Sequence, residues 1–302
     1  MRATIIDCDP GIDDALALLL AAGSPELDLL AVTTVAGNRP APVTARNARQ
    51  ILDLAGRPQV PVHAGAERPL AGGAPRCNLV HGEDGLGGVD LGQPGAIAAG
   101  HAAIALVDML RQHSPASIDL VAMGPLTNLA LAELLSPGVL QRAGRLAIMG
   151  GALRVPGNIR PAAEFNFYAD ALAADIVLRS GAAISLFALD VTHQAIMSPP
   201  WIASFAGLDS RSGNAAAAML QAYAAMDPLL HDVCPVAYLL RPQLFDMQPC
   251  RVQVDVRAGT SEGYVLAHFD VAAGAGPMVQ AATGVDNPAL LALVFERIAR
   301  LP

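Results

Sequence analysis

Between Ile5 and Ala15 an apolar strand pattern turns into an apolar helix pattern, and the junction Asp7-Cys8-Asp9-Pro10-Gly11-Ile12-Asp13-Asp14 places four carboxylates within eight residues. Burying or half-burying that much like charge is costly unless a cation sits among the oxygens. The junction therefore points to a hard divalent metal, and through it to an enzyme. Carboxylate oxygens, with room for backbone carbonyls and water, suit Ca²⁺ or Mg²⁺. The spacing of an EF-hand loop is absent, and no His/Cys set has the spacing of a zinc site.

The flanking pattern sets the fold class. Apolar strands are expected at Ala3–Asp7, Leu27–Val35, Val60–Ala64, Ile118–Ala122, Leu146–Met149 and Ile184–Leu189. They are short, apolar on both faces and rich in β-branched residues, as in a sheet covered by helices on both sides. Helical patterns alternate with them at Asp13–Ala22, Pro42–Leu54, Ala99–Gln112, Thr127–Leu135 and Ala169–Arg179, with Gly23, Gly56 and Gly181 where C-caps belong. This is an α/β fold with a doubly wound, mostly parallel sheet and a Rossmann-like core.

After about Ser198 the pattern becomes a helical C-terminal elaboration, with helices near Pro199–Ala206, Asn214–Met226 and Val233–Leu240. A strand pair, Arg251–Val256 and Tyr264–Phe269, and a closing helix, Pro288–Arg300, follow. No linker or charge run interrupts the chain, so residues 1–302 are expected to form one domain. The Gly-rich segment Leu70–Gly100 is a long irregular stretch, and such loops are more often functional than idle.

Composition narrows the chemistry. The chain is 53% hydrophobic and 15% charged, and all 19 basic residues are Arg. Without Lys, Schiff-base chemistry and any catalytic lysine are excluded. A net charge of -8 and the lack of a basic run argue against a nucleic-acid partner. Cys8, Cys77, Cys234 and Cys250 form no C-x-x-C pair and are expected to be reduced thiols of a cytoplasmic protein. No signal-peptide pattern opens the chain. The longest apolar stretches, such as Ala15–Ala22, are too short to cross a bilayer, so no membrane partner is expected.

Ligands of an open parallel sheet bind at the carboxyl ends of the strands, and the polar residues gather there. Asp7, Asp9, Asp13 and Asp14 follow the first strand, Gly37-Asn38 the second, Met123-Gly124-Pro125-Leu126-Thr127-Asn128 the fourth. Met149-Gly150-Gly151 and then Asn158, Glu164, Phe165 and Asn166 follow the fifth, and His231-Asp232 lies near the helical part. Each alone has an ordinary structural explanation. Asp13 and Asp14 suit the first turn of a helix, Asn38 after Gly37 suits a turn, and His231 could be a satisfied buried histidine. Their joint position at the functional end of five successive elements favours a site.

The segment Asp7–Ala15 resembles the signature of the inosine–uridine-preferring nucleoside hydrolases. The resemblance extends over essentially the whole chain. It includes Thr33-Thr34-Val35-Ala36-Gly37-Asn38, His81-Gly82, Met123–Asn128, Met149-Gly150-Gly151, Glu164-Phe165-Asn166 and His231-Asp232-Val233-Cys234, in the family's order and spacing. The resemblance implies Ca²⁺-dependent hydrolysis of the N-glycosidic bond of ribonucleosides to ribose and free base. It implies Asp9, Asp14, the Met123 carbonyl and Asp232 as metal ligands, with Asp9 also the general base. Asp13, Asn166 and Asp232 would hold the ribose 2′- and 3′-hydroxyls, Asn158 and Glu164 the 5′-hydroxyl, and Met149 would pack under the sugar. Asn38 would sit near the reacting centre, His231 would protonate the leaving base, and His81 would line the base pocket.

The implied chemistry is physically coherent. N-glycoside cleavage passes through an oxocarbenium-like sugar, as O-glycoside cleavage does, and a carboxylate-rich pocket stabilises that charge. A histidine titrating near neutrality is a suitable acid for the leaving base. His231 suggests the branch of the family with a histidine acid, with broad or pyrimidine-leaning base preference. The expected mobile flaps are His81–Asp90 and Asn214–Pro228, and Tyr223 faces either the base or the core. The resemblance also implies a homodimer or homotetramer. Two alternatives stand beside this reading. A haloacid-dehalogenase-like phosphatase also uses D-x-D after its first strand, but needs a Thr or Val shortly after and a later Lys. A catalytically inactive nucleoside-binding protein would keep the same pocket.

Overall fold

The computed structural model describes residues 1–78 and 80–302. Its strands are β1 (Arg2–Cys8), β2 (Leu27–Thr34), β3 (Val62–Ala64), β4 (Ile118–Ala122), β5 (Leu146–Met149), β6 (Ile184–Phe187), β7 (Phe245–Val254), β8 (Val265–His268) and β9 (Met278–Val285). They form one sheet in the order β3-β2-β1-β4-β5-β6-β9-β7-β8. The pairings from β3 through to β9 are parallel, and β7 is antiparallel to both β9 and β8. The first six strands thus follow the 3-2-1-4-5-6 order of dinucleotide-binding folds, in which the order reverses between β1 and β4.

The alternation of side chains along β1 shows how the sheet is buried on both faces. Ile6 packs with Leu16, Leu19, Leu52, Val233 and Leu290 in one core cluster. Its neighbour Ile5 packs with Leu106, Leu129, Val177 and Leu186 in another. Successive strand residues point to opposite faces, so each face needs its own helical cover. Helices Ile12–Ala22, Ala41–Leu54, Val233–Leu240 and Asn287–Ile298 cover the first, and Ala102–Gln112, Thr127–Leu135 and Ala171–Leu178 the second.

Helix Ile12–Ala22 is buried along its whole length. Its sequence, IDDALALLLAA, has no polar face, as suits a helix surrounded by others. Burial of each leucine contributes about 1.5–3 kcal/mol. That drives the carboxylates at its N-terminus out of water, where the positive end of the helix dipole partly offsets the cost.

Thr127–Leu135, Val233–Leu240, Ile118–Ala122 and Leu146–Met149 run as the sequence predicts, and most other ends shift by one to three residues. Three differences have physical causes. Ala169–Arg179 is two helices, Phe165–Ala169 and Ala171–Leu178, because Asp170 leaves helical geometry to cap the second, accepting from the Ala173 N–H at 3.1 Å. The expected strand to Leu189 ends at Phe187, and Leu189–Thr192 turns into a short helix. Gly23 ends its helix without a left-handed turn; its role is close packing, since a Cβ there would lie 2.2 Å from the Arg297 carbonyl. The C-terminal third also holds more strand than its pattern indicates. β9 and the first half of β7 extend the sheet, and β9 (MVQAATGV) is poor in the large β-branched residues that mark the other strands. Among the described residues no helix is long and apolar enough to cross a membrane, and all four cysteines are unpaired, with Cys77 the exposed one.

Candidate active site

The carboxyl ends of β1 and β4 meet at the point where the strand order reverses, with the Met123 N–H donating to the Asp7 carbonyl at 2.8 Å. Asp7, last but one in β1, is held by the Thr33 hydroxyl and by Asn128 Nδ2 at 2.8 Å, so it braces the strand ends from beneath. Burial pushes its carboxyl up to about 7. Above it the chain enters the turn that starts helix Ile12–Ala22. Asp14 Oδ1 accepts the Asp9 N–H at 3.1 Å and Oδ2 the Gly11 N–H at 2.9 Å. Asp14 therefore closes the turn and caps the helix as well as facing the site.

One oxygen each of Asp13, Asp14 and Asp232 lie within 4.8 Å of one another, all three residues buried. Asp9 lies outside this trio. Its Oδ2 accepts the Asn38 N–H at 2.6 Å, and its Oδ1 is buried with no hydrogen-bond partner among the described residues. The carboxylate fits between two glycines: a Cβ on Gly37 would lie 2.0 Å from Oδ2, and one on Gly124 2.4 Å from Oδ1. Any side chain at either position would displace it. Asn38 spans the group, donating from Nδ2 to the Asp9 carbonyl at 3.2 Å and to Asp14 Oδ2 at 3.1 Å.

Burial, followed by the charge of Asp14, holds the Asp9 carboxyl well above the usual carboxylate range. Burial and then the charge of Asp13 do the same to Asp232, and raise Asp14 to about 7. Acids this close cannot all ionise by themselves. A divalent cation removes that penalty, and the all-oxygen donor set with an unpaired buried Oδ1 fits a hard ion.

The rest of the site is a small cleft lined by residues from several strand ends and by the His81 and His231 rings. One wall is built by the segment after β5. Glu164 caps helix Phe165–Ala169, with Oε1 accepting the Asn166 N–H at 2.7 Å and Oε2 the Gly151 and Phe167 N–H groups at 2.9 and 3.1 Å. Asn166 Nδ2 donates to the Met123 carbonyl at 2.7 Å. Asn158 Oδ1 accepts the Phe165 N–H at 2.9 Å.

Two histidines form the other end. His81 Nδ1 accepts the Ile12 N–H at 3.1 Å, so its proton is on Nε2, 3.7 Å from Asp13 Oδ1. Its ring stacks on Tyr223 with centroids 5.1 Å apart. Burial holds this imidazole below its ordinary value. His231 Nδ1 is 2.7 Å from Thr192 Oγ1, and Nε2 is 3.2 Å from Asp227 Oδ2. Burial pulls His231 down, but the Asp227 hydrogen bond and the charge of Asp13 outweigh it, and the net direction is up.

Of the residues singled out in the sequence, Asp13, Asn38, His81, Met123, Met149, Asn158, Glu164, Asn166, His231 and Asp232 all line this cleft. Asp9 and Asp14 lie beside it, packed under Asn38. The Met123 carbonyl is engaged by Asn166. Tyr223 is both buried and at the cleft, through its stack on His81. The residues singled out in the sequence do not include Asn78, Val80, Asp227 and Thr192. Asn78 and Val80 fall in the long Gly-rich segment, and Asn78 Nδ2 donates to Asn38 Oδ1 at 2.7 Å. Asp227 stands four residues before His231, a spacing that was a usable signal. Thr192 had none.

The profile describing the inosine-uridine preferring nucleoside hydrolases matches residues 4–292. An uncharacterized protein of Schizosaccharomyces pombe is 41% identical, the match covering 99% of each chain. The pyrimidine-specific ribonucleoside hydrolase RihA of Klebsiella pneumoniae is 37% identical over 98% of this chain and 97% of its own. Among solved structures, a plant nucleoside hydrolase superposes with a TM-score of 0.93 at 34% identity, covering 99% of both chains.

Proposed function

The chain belongs to the inosine-uridine preferring nucleoside hydrolase family and is an N-glycosyl hydrolase of ribonucleosides; from that premise we propose a calcium enzyme with Asp9 as general base, His231 as acid, and a broad or pyrimidine-leaning base preference. Family membership displaces the phosphatase and inactive-binder alternatives. The observation that carries the proposal is the buried carboxylate group at the cleft, with Asp9 Oδ1 lacking a partner among the described residues and the His81 and His231 imidazoles lining the same cleft.

Asp14, Asp232, Asp9 and the Met123 carbonyl are the groups that would hold the ion. Bound there, Ca²⁺ would lower the pKa of water and offset the carboxylate charge. Every other step belongs to side chains. Asp9, destabilised as an anion by burial, is suited to take the proton of the attacking water. Asp13, Asn166 and Asp232 hold the vicinal ribose hydroxyls, Asn158 and Glu164 the 5′-hydroxyl, and Met149 packs under the ring, so the sugar is fixed for attack. The same acids stabilise positive charge as it develops on the sugar. His231, which lines the cleft with its Nε2 hydrogen-bonded to Asp227, hands a proton to the departing base. The pyrimidine leaning is supported by the likeness to RihA.

Two expected results test the metal and sugar assignments. Crystals grown with calcium should show an ion among Asp9, Asp14 and Asp232 with about six to eight oxygen ligands; a metal-free group, or an ion bound elsewhere, overturns the calcium assignment. 2′-Deoxyuridine should be a far poorer substrate than uridine, because Asp13 and Asn166 are left facing no hydroxyl. Sites built to bond a hydroxyl reject its absence by about 10⁴–10⁵ at best. Comparable kcat/KM for the two nucleosides would remove the sugar contacts from this part of the cleft.

A further inference from the structure

The Gly-rich segment Leu70–Gly100 is bonded to the carboxylate group through one amide, that of Asn78. Two residues earlier, Arg76 anchors the segment to helix Phe165–Ala169 and to the loop after β7. Its guanidinium pairs with both Glu262 carboxylate oxygens at 2.9 Å, donates to the Tyr168 carbonyl, and lies 4.2 Å from the centroid of the Tyr168 ring. Asn78 Oδ1 accepts the Val80 N–H at 3.1 Å, and Asn78 Nδ2 donates to Asn38 Oδ1 at 2.7 Å. Asn38 Nδ2 donates in turn to the Asp9 carbonyl at 3.2 Å and to Asp14 Oδ2 at 3.1 Å. The Asn38 N–H holds Asp9 Oδ2 at 2.6 Å.

Both ends of this relay have a fixed polarity. The Val80 N–H only donates, and a carbonyl or an ionised carboxylate only accepts. The two amides between them therefore have one consistent orientation, because turning either would set donor against donor and acceptor against acceptor. Both Nδ2 hydrogens of Asn38 are engaged on the carboxylate side, and the residue is only 6% exposed, so its Oδ1 depends on Asn78 for a donor. We propose that Asn78 is a positioning residue for the reaction: it fixes the Asn38 amide, and through it Asp9 and Asp14, to the segment that lines the cleft. The inference rests on the assignment of Asp9 and Asp14 to the reacting end of the cleft, and adds the residue that holds their common partner in place. Without Asn78 the buried Oδ1 has lost its donor, which favours rotation of the Asn38 amide away from Asp14. Successive hydrogen bonds also polarise one another, so removing the first weakens the next.

p-Nitrophenyl riboside is the substrate for the test. It carries no nucleobase, so any contact between Asn78 and a base does not enter the result. Asn78→Ala should lower kcat by about tenfold or more, with KM changed by less than about threefold. In an Asn38→Ala background the same substitution should change kcat by less than about twofold, since a residue that acts through another has nothing left to act on. Losses that multiply across the two backgrounds overturn the proposal, as does a loss confined to KM. Asn78→Asp is the second variant. It keeps the side-chain size and the acceptor for the Val80 N–H, but turns the group facing Asn38 Oδ1 from donor to acceptor. Its kcat should fall at least as far as that of Asn78→Ala, whereas a residue that only packs or shapes the loop would be spared by the isostere. A kcat within about twofold of wild type overturns the proposal, and this variant decides alone if Asn38→Ala has no measurable turnover. An Asn38→Ala enzyme with wild-type kcat would instead sink the reading of the carboxylate group, and the proposal with it.

Discussion

Asp9→Asn is expected to abolish turnover of ribonucleosides, and saturating calcium is not expected to restore it. The substitution is close to isosteric, and the amide oxygen can still accept the Asn38 N–H that now binds Oδ2. The pocket between Gly37 and Gly124 fits either side chain, so the fold should persist and thermal melting should change little. What is lost is a group able to take a proton. Loss of a general base costs about 10²–10⁴-fold, and a neutral amide also weakens the attraction for a cation. The two effects separate when kcat is measured at rising calcium, with occupancy followed by calorimetry. A variant that regains near-normal kcat once the site is filled would make Asp9 a ligand only and move the base elsewhere.

His231→Ala should slow cleavage of inosine or uridine by about 10²–10⁴-fold while costing far less on p-nitrophenyl riboside. The imidazole is gripped at both nitrogens, by Thr192 within the core and Asp227 at the cleft, so its direction is defined before any substrate arrives. A natural base departs poorly as an anion and needs the proton; p-nitrophenolate leaves without one. The contrast between substrates is what distinguishes an acid from a packing residue. Equal losses on both would mean that His231 shapes the pocket or steadies Asp232, and that solvent or another group protonates the base.

Local pattern was enough for much of the architecture. Strands buried on both faces, alternating with helices, identify a covered parallel sheet, and β4, β5 and helix Val233–Leu240 lie where their residues predict. The functional end of the sheet was legible too, because a run such as Asp7–Asp14 has no inexpensive buried arrangement without a cation. β9 was not legible. Its residues have weak strand preference, and its place between β6 and β7 depends on pairing with Ser185–Leu186 and Phe245–Arg251, far away in the chain.

The same division runs through the site. Local sequence determined which carboxylates, amides and histidines are available and at which strand ends they emerge. Tertiary structure alone decided that Asp13, rather than Asp9, converges with Asp14 and Asp232, and that Asp9 turns between Gly37 and Gly124 with one oxygen unpaired. It alone brought Thr192 to His231 across 39 residues and Asn78 to Asn38 across 40. The physical reason is range. Periodicity and capping report on neighbours within a turn or a pleat, whereas a hydrogen bond between distant segments exists only after loop closure and core packing have set both backbones.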